Sequence, residues 1–174
     1  MNDEIINDIK RIQHDYYSVT KKTIFNKKES KNNCAEHISQ NIPLVDLVSK
    51  TVYIVPDTNN IFFDYNIFKT YATPSNYQII VDTIISNIIF VINKYGTFQV
   101  HLNLNTLTVT GLDRYQSIFH LYYNTCCSKG LYYDKDKIDK FIIFNTPMII
   151  NTLIPLIVKY TDSSIKSKIV CIKK

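Results

Sequence analysis

Apolar residues recur along the chain with two alternating periods, one helical and one extended. Ile5, Ile9, Ile12 and Tyr16 stand three to four apart and predict an amphipathic helix over 3–17. Residues 20–33 lose that period. Lys21, Lys22, Lys27, Lys28 and Lys31 lie there among Asn and Ser, which reads as a solvated linker. A short helix is expected from Cys34 to about Val48. Thr51–Val55 is β-branched and predicts a strand, paired with Ile61–Phe63 across a turn that begins at Pro56. Tyr77, Ile80, Ile84, Ile88 and Val91 then form one stripe with Asp82, Ser86 and Asn93 opposite. That is a helix over 75–94, opened after Pro74 and stopped at Gly96.

Phe98, Val100, Leu102 and Leu104 alternate with Gln99, His101, Asn103 and Asn105, the pattern of a strand. Tyr115, Ile118, Phe119, Tyr122 and Cys126 mark a helix over about 112–128, closed near Gly130. Phe141–Phe144 is an unbroken apolar run and predicts a strand covered on both faces. Thr146 caps and Pro147 opens a helix to about Tyr160, and Lys168–Ile172 is the last strand. This order predicts an α/β fold with a mostly parallel sheet and right-handed crossovers. Residues 1–33 read as a helix and linker, and 34–174 as one domain.

The helix over 147–160 carries Met148, Ile149, Ile150, Leu153, Ile154, Leu156, Ile157 and Val158, nearly its whole circumference. Such a helix is either a central core helix or faces a hydrophobic ligand or a membrane surface. The uncharged stretch from Phe141 to Val158 is interrupted by Asn145, Pro147, Asn151 and Pro155, so it reads as a strand running into a helix, not as a span.

The chain has 174 residues, 45% of them hydrophobic and 20% charged, enough for one domain with a real core. Its net charge is +5, and of 20 cations only Arg11 and Arg114 are arginine. That favours contact with anionic surfaces over base reading, so no nucleic-acid partner is expected. Four cysteines, two of them adjacent at Cys126 and Cys127, make no disulfide framework, and a reduced, cytoplasmic setting follows. The first ten residues hold three acids and no apolar run, so the chain reads as lacking a secretory leader. The weight of Ile, Lys, Asn and Tyr is that of an AT-rich genome, as in large DNA viruses. There is no phosphate-binding glycine loop, no nucleophile elbow and no metal-ligand spacing. His120 stands at no spacing that would orient a nucleophile. No enzyme is expected.

Four features in fixed order carry a resemblance. They are a turn at Tyr133-Asp134-Lys135-Asp136, a strand ending in Phe144-Asn145-Thr146-Pro147, the apolar helix, and Asp162 leading to Lys168-Ile169. Upstream, residues 98–112 look like a central strand and loop, with Asn103 where an Asp is usual. With these the chain resembles the CRAL-TRIO lipid-binding domain of the phosphatidylinositol and phosphatidylcholine transfer family, over about residues 50–172. The resemblance implies a CRAL-TRIO-like three-layer fold, a sheet floor, and a lipid pocket closed by a mobile gate helix. It implies a phosphatidylinositol or a phosphorylated phosphoinositide as bound ligand, no other cofactor, and transient contact with a membrane surface by a cytoplasmic, peripheral protein. Asp136 and Lys168 would hold the headgroup, with Lys166, Ser164 and Ser167 beside them. Met148, Ile149, Ile150, Leu153, Ile154 and Ile157 would meet the acyl chains, and His101, Phe119, Tyr122 and Tyr123 would line the pocket. The family's headgroup Thr falls at Ile165, its headgroup Arg has no assigned counterpart, and its Lys-Pro-Phe reads Val158-Lys159-Tyr160. Family members continue beyond the position of Lys174, so apolar surface beside the last strand and a homodimer are expected. The rival reading is a signalling or scaffold domain of the sulfate-transporter and anti-sigma-antagonist type, with a filled core and no lipid.

Overall fold

The computed structural model describes residues 2–20, 27–130, 135–145, 150–160 and 163–172. Its centre is one sheet of five strands, β1 (Val52–Ile54), β2 (Asn60–Asp64), β3 (Phe98–Asn103), β4 (Ile138–Phe144) and β5 (Ile169–Ile172), side by side in chain order. β1 and β2 form the expected antiparallel hairpin, with Tyr53 opposite Phe62. The remaining pairs are parallel, and one row runs Ile61, Val100, Phe141, Ile169 across four strands. The fold is therefore α/β with a mostly parallel sheet, compatible with a CRAL-TRIO-like architecture.

Strands added in sequence order by crossovers of one hand place every connecting helix on the same face. The helices conform. α4 (Tyr65–Tyr71) and α5 (Tyr77–Tyr95) join β2 to β3, α6 (Val109–Arg114) and α7 (Gln116–Ser128) join β3 to β4, and α8 (Ile150–Tyr160) joins β4 to β5. Ile61, Phe63, Val100, Leu102 and Phe141 face these helices across a shared cavity. The opposite face carries a row of rings. Tyr53 stacks on Phe62 at 5.2 Å, and Phe144 lies 6.4 Å from Phe62 and 5.6 Å from His101. Ile142 and Phe144 are only half-buried there, so β4 is not covered on both faces as its apolar run suggested.

The N-terminal third forms a further helical layer. α1 (Asn2–Val19) buries Ile9, and α2 (Lys27–Asn41) buries Cys34, Ala35 and Ile38, with Ile42 buried just past its end. Both share one core with Tyr71, Ile80 and Ile143. α2 thus begins inside the stretch read as a linker: its first turns are polar, and its buried face opens only at Cys34. α3 (Leu44–Thr51) starts after Pro43, which lacks the N–H that would continue α2. The helix expected over 34–48 is therefore two helices.

α4 escapes the sequence pattern altogether because seven residues are too few to show a period. Asp64 caps it, accepting from the Asn66 amide at 2.7 Å, and Tyr65, Ile67, Phe68 and Tyr71 are buried. Gly96 ends α5 at φ 81°, a left-handed stop that glycine adopts without strain. α5 is long and apolar enough to cross a membrane by length and composition, yet here Ile80, Val81, Ile85 and Val91 are fully buried in the core. The expected helix over 112–128 breaks at Tyr115, whose ring is held against Phe68 at 4.7 Å.

Candidate functional site

A cavity of about 210 Å³ lies between the sheet and the crossover helices. Its floor is Ile61, Phe63, Val100, Leu102 and Phe141. Its roof is Ile84 and Ile88 of α5, Ile118, Phe119 and Tyr122 of α7, and Leu153 and Ile157 of α8. Beyond the C-terminal ends of the strands the wall continues through Tyr65, Leu104, Leu107, Gly111, Leu112 and Tyr115. Apolar cavities of about 150 Å³ stay dry and take up small apolar ligands. This one has the same character and more room.

The structure sorts the expected site residues into groups. Phe119, Tyr122, Leu153 and Ile157 meet at the cavity. Ile150 packs on the adjoining core, Ile154 is half-buried, and Met148 and Ile149 lie outside the described residues. α8 is not apolar all round: Asn151, Thr152 and Lys159 are exposed, with Pro155, on one outward side. His101 is not a lining residue. Strand alternation sends it to the ring-bearing face, away from Val100 and Leu102, where its Nε2 has no partner among the described residues. Burial there holds its imidazole below the usual histidine range. Tyr123 is half-buried on α7 outside the cavity lining.

Asp136 and Lys168 stand at the N-terminal ends of β4 and β5, the same edge of the sheet. The Lys168 ammonium donates to the Ile138 carbonyl at 2.6 Å, which draws it toward the Asp136 turn. Asp136, Ser164, Lys166 and Ser167 are exposed, and Ile165, where the family has its Thr, is fully buried. None of these residues lines the cavity. A one-residue irregularity between β3 and β4 leaves Asp139 at this same edge, where it accepts from Thr97 Oγ1 at 2.7 Å and Asn59 Nδ2 at 3.1 Å.

The opposite edge, at the C-terminal strand ends, is where open parallel sheets place their ligands. Polar side chains close it in a chain. Asn103 Nδ2 donates to Asp64 at 3.2 Å, and Asn145 Nδ2 donates to Asn103 Oδ1 at 2.9 Å. Lys69, in the last turn of α4, donates to Thr106 Oγ1, and burial pulls its ammonium below the ordinary lysine value. The neighbouring Asp64 opposes that shift and Lys31 adds to it. Arg114 lies over the Tyr115 ring at 5.0 Å and donates from Nε to Asn32 Oδ1 at 3.1 Å. Sequence reasoning left Lys69 and Arg114 unassigned, since neither belongs to a motif. All four cysteines are free, and no cluster of three metal-ligating side chains occurs among the described residues.

Gly111 sits where this edge meets the cavity. A Cβ there would fall 2.7 Å from the Tyr65 hydroxyl. Gly111→Ala should therefore displace the Tyr65 ring into the cavity and destabilise the fold by about 1–3 kcal/mol, the usual range for overpacking. Urea unfolding with tyrosine fluorescence measures this, since the chain has no Trp. Unchanged stability would show that the ring yields freely.

The sequence matches no known family pattern and no curated protein. Among solved structures the fold is similar to one titled "Crystal structure of Sfh5", at 12% identity and a TM-score of 0.47. The match covers 95% of this chain and 67% of that one. It is a distant relation in fold.

Proposed function

We propose that the chain is a non-catalytic phospholipid-binding and transfer protein that holds one lipid with its acyl chains in the cavity. The observation that supports this reading is the cavity itself, about 210 Å³ behind an almost wholly apolar wall. Apolar space left unfilled weakens the packing around it. Each methylene moved into it from water contributes about 0.8 kcal/mol, so acyl chains have a strong drive to enter. The filled core required by a signalling or scaffold domain of the anti-sigma-antagonist type is at odds with it.

In this reading α8 is the movable wall. Leu153 and Ile157 close the cavity from one helix, and Pro155 between them removes a rung of its hydrogen-bond ladder. Opening of α8 at a membrane surface would release one lipid and admit another. The net charge of +5 suits an anionic headgroup, and phosphatidylinositol or a phosphorylated relative is the lipid class we assign.

Organic extraction of the purified protein, followed by mass spectrometry, should yield about one phospholipid per chain. Purified protein should also move phosphatidylinositol between vesicles without any nucleotide. No lipid in the extract together with no transfer of any phospholipid would sink the proposal.

A further inference from the structure

Among the described residues that line the cavity, three side chains carry a polar atom, and all three are phenols: Tyr65, Tyr115 and Tyr122. Two of them are already answered. The Tyr115 hydroxyl donates to the Lys69 carbonyl at 3.1 Å, and the Tyr122 hydroxyl donates to the Cys126 thiol. Tyr65 is only 6% exposed, yet its hydroxyl has no hydrogen-bond partner among the described residues. Nor is it sealed in by packing, as His101 Nε2 and Arg114 Nη2 are. An unpaired hydroxyl in an apolar wall carries the full cost of its desolvation, which an acceptor brought by a ligand removes.

The ring is held on several sides. Tyr65 opens α4, whose first turn Asp64 fixes through the Asn66 amide. Its ring lies 6.2 Å from that of Phe68 and stands edge-on to Tyr115 at 6.1 Å. The hydroxyl end meets α6. A Cβ on Gly111 would fall 2.7 Å from the phenol oxygen and 3.4 Å from both Leu107 Cδ1 and Thr108 Oγ1. Gly111 and Leu107 line the cavity, whereas Thr108 is exposed, so the hydroxyl stands where the cavity meets the surface. From there the apolar floor runs inward through Leu104, Leu102 and Val100. Burial raises the phenol above its ordinary value, with Arg114 opposing, so it remains an O–H donor.

We propose that Tyr65 is the polar anchor of the cavity: its O–H donates to the carbonyl oxygen at the head of an acyl chain, whose hydrocarbon runs inward along β3. A rigid phenol at the mouth fixes the depth of the chain. It also discriminates an acyl group from a bare hydrocarbon of the same length. The ester of a phospholipid and the carboxyl of a free fatty acid present the same acceptor. That the ester is the source rests on the lipid-binding reading above, whereas the hydrogen bond does not. Either way the head of the chain lies at the opposite sheet edge from Asp136 and Lys168.

The experiment loads the full chain with phenylnaphthylamine, an apolar dye, and displaces it with undecane, methyl decanoate or decanoic acid, which are nearly equal in length. Tyr65→Phe removes the hydroxyl and keeps the ring. It should weaken methyl decanoate about fivefold, the worth of one hydrogen bond, and leave undecane unchanged. The variant should be as stable in urea as the wild type, since no bond within the fold is lost. The infrared carbonyl stretch of bound methyl decanoate should lie lower in the wild type than in Tyr65→Phe. Tyr53→Phe, on the other face of the sheet, should change none of these. A loss that includes the ester supports the anchor and the phospholipid reading together. A loss confined to decanoic acid supports the anchor with a free fatty acid as its ligand, and the phospholipid reading falls. Ester and acid bound equally well by wild type and Tyr65→Phe overturn the anchor and leave the lipid reading standing. No displacement by any of the three overturns both. A marked loss of stability in Tyr65→Phe also overturns the anchor, because the hydroxyl would then be bonded within the fold.

Discussion

Filling the cavity from its floor should abolish lipid uptake and make the ligand-free protein more stable. Val100 is the position of choice. It sits on β3 between Ile61 and Phe141 and faces the open space, and an aromatic residue suits a strand. Val100→Phe, alone or with Leu102→Phe, puts ring volume where acyl chain would lie. Each ~50 Å³ so filled should return about 1 kcal/mol to the empty protein. The bound phospholipid recovered by extraction should drop roughly tenfold or more, the loss expected when a site no longer admits its ligand. Chemical unfolding after delipidation gives the stability, and extraction gives the occupancy. If occupancy survives in a stably folded Val100→Phe, Leu102→Phe chain, the lipid is bound elsewhere.

Raising the pH should unfold the protein steeply. Tyr71 is fully buried, with its hydroxyl donating to Thr51 Oγ1 at 3.0 Å, and Tyr115 is buried among the rings of α4. Burial pushes both phenols above the ordinary value of 10, as it does for Tyr122 on α7. Tyr17, on α1 beside Cys34, is pushed up to about 12, chiefly by burial. Above pH 10 the unfolded chain has shed protons that the folded chain keeps, so stability is intact below 10 and falls as pH rises. Each fully buried phenol costs about 1.4 kcal/mol per pH unit, so Tyr71 and Tyr115 alone remove about 3. Against about 5–15 kcal/mol in all, the fold should be lost between about pH 11 and 12. The share of tyrosinate absorbance that belongs to the buried rings should appear together with the loss of far-ultraviolet circular dichroism. Tyr71→Phe should move the midpoint upward, at the expense of about 1 kcal/mol near neutrality for the lost Thr51 bond. Ionisation of all thirteen tyrosines near pH 10 while the helices persist would contradict the buried core.

Where an apolar stripe was long, the element could be read directly: α1 from Ile5 to Tyr16, α5 from Tyr77 to Val91, β3 from Phe98 to Leu102. The hairpin of β1 and β2 was legible from β-branched runs around a proline turn. The alternation in β3 also sets His101 apart from Val100 and Leu102, and the family resemblance, not the pattern, placed it in the pocket. α4 was invisible because its helicity is secured by the burial of Tyr65, Phe68 and Tyr71, which a seven-residue window cannot express. α8 looked apolar all round, yet Asn151, Thr152, Pro155 and Lys159 sort to one side once Leu153 and Ile157 fix which side is inward.

The sequence by itself determined the alternation of strands and helices, and with it a parallel sheet whose crossovers share one hand, because local periodicity and chirality act over a few residues at a time. Tertiary structure alone decided that the strands add in chain order, which collects the crossover helices on one face and leaves Phe62, His101 and Phe144 on the other. It also decided that the space under those helices is not filled, since side-chain volume can be summed along a chain but its fit cannot. And it set Arg114 of α6 against Asn32 of α2 and the Tyr115 hydroxyl against the Lys69 carbonyl of α4, contacts between residues too far apart in sequence for any local pattern to announce.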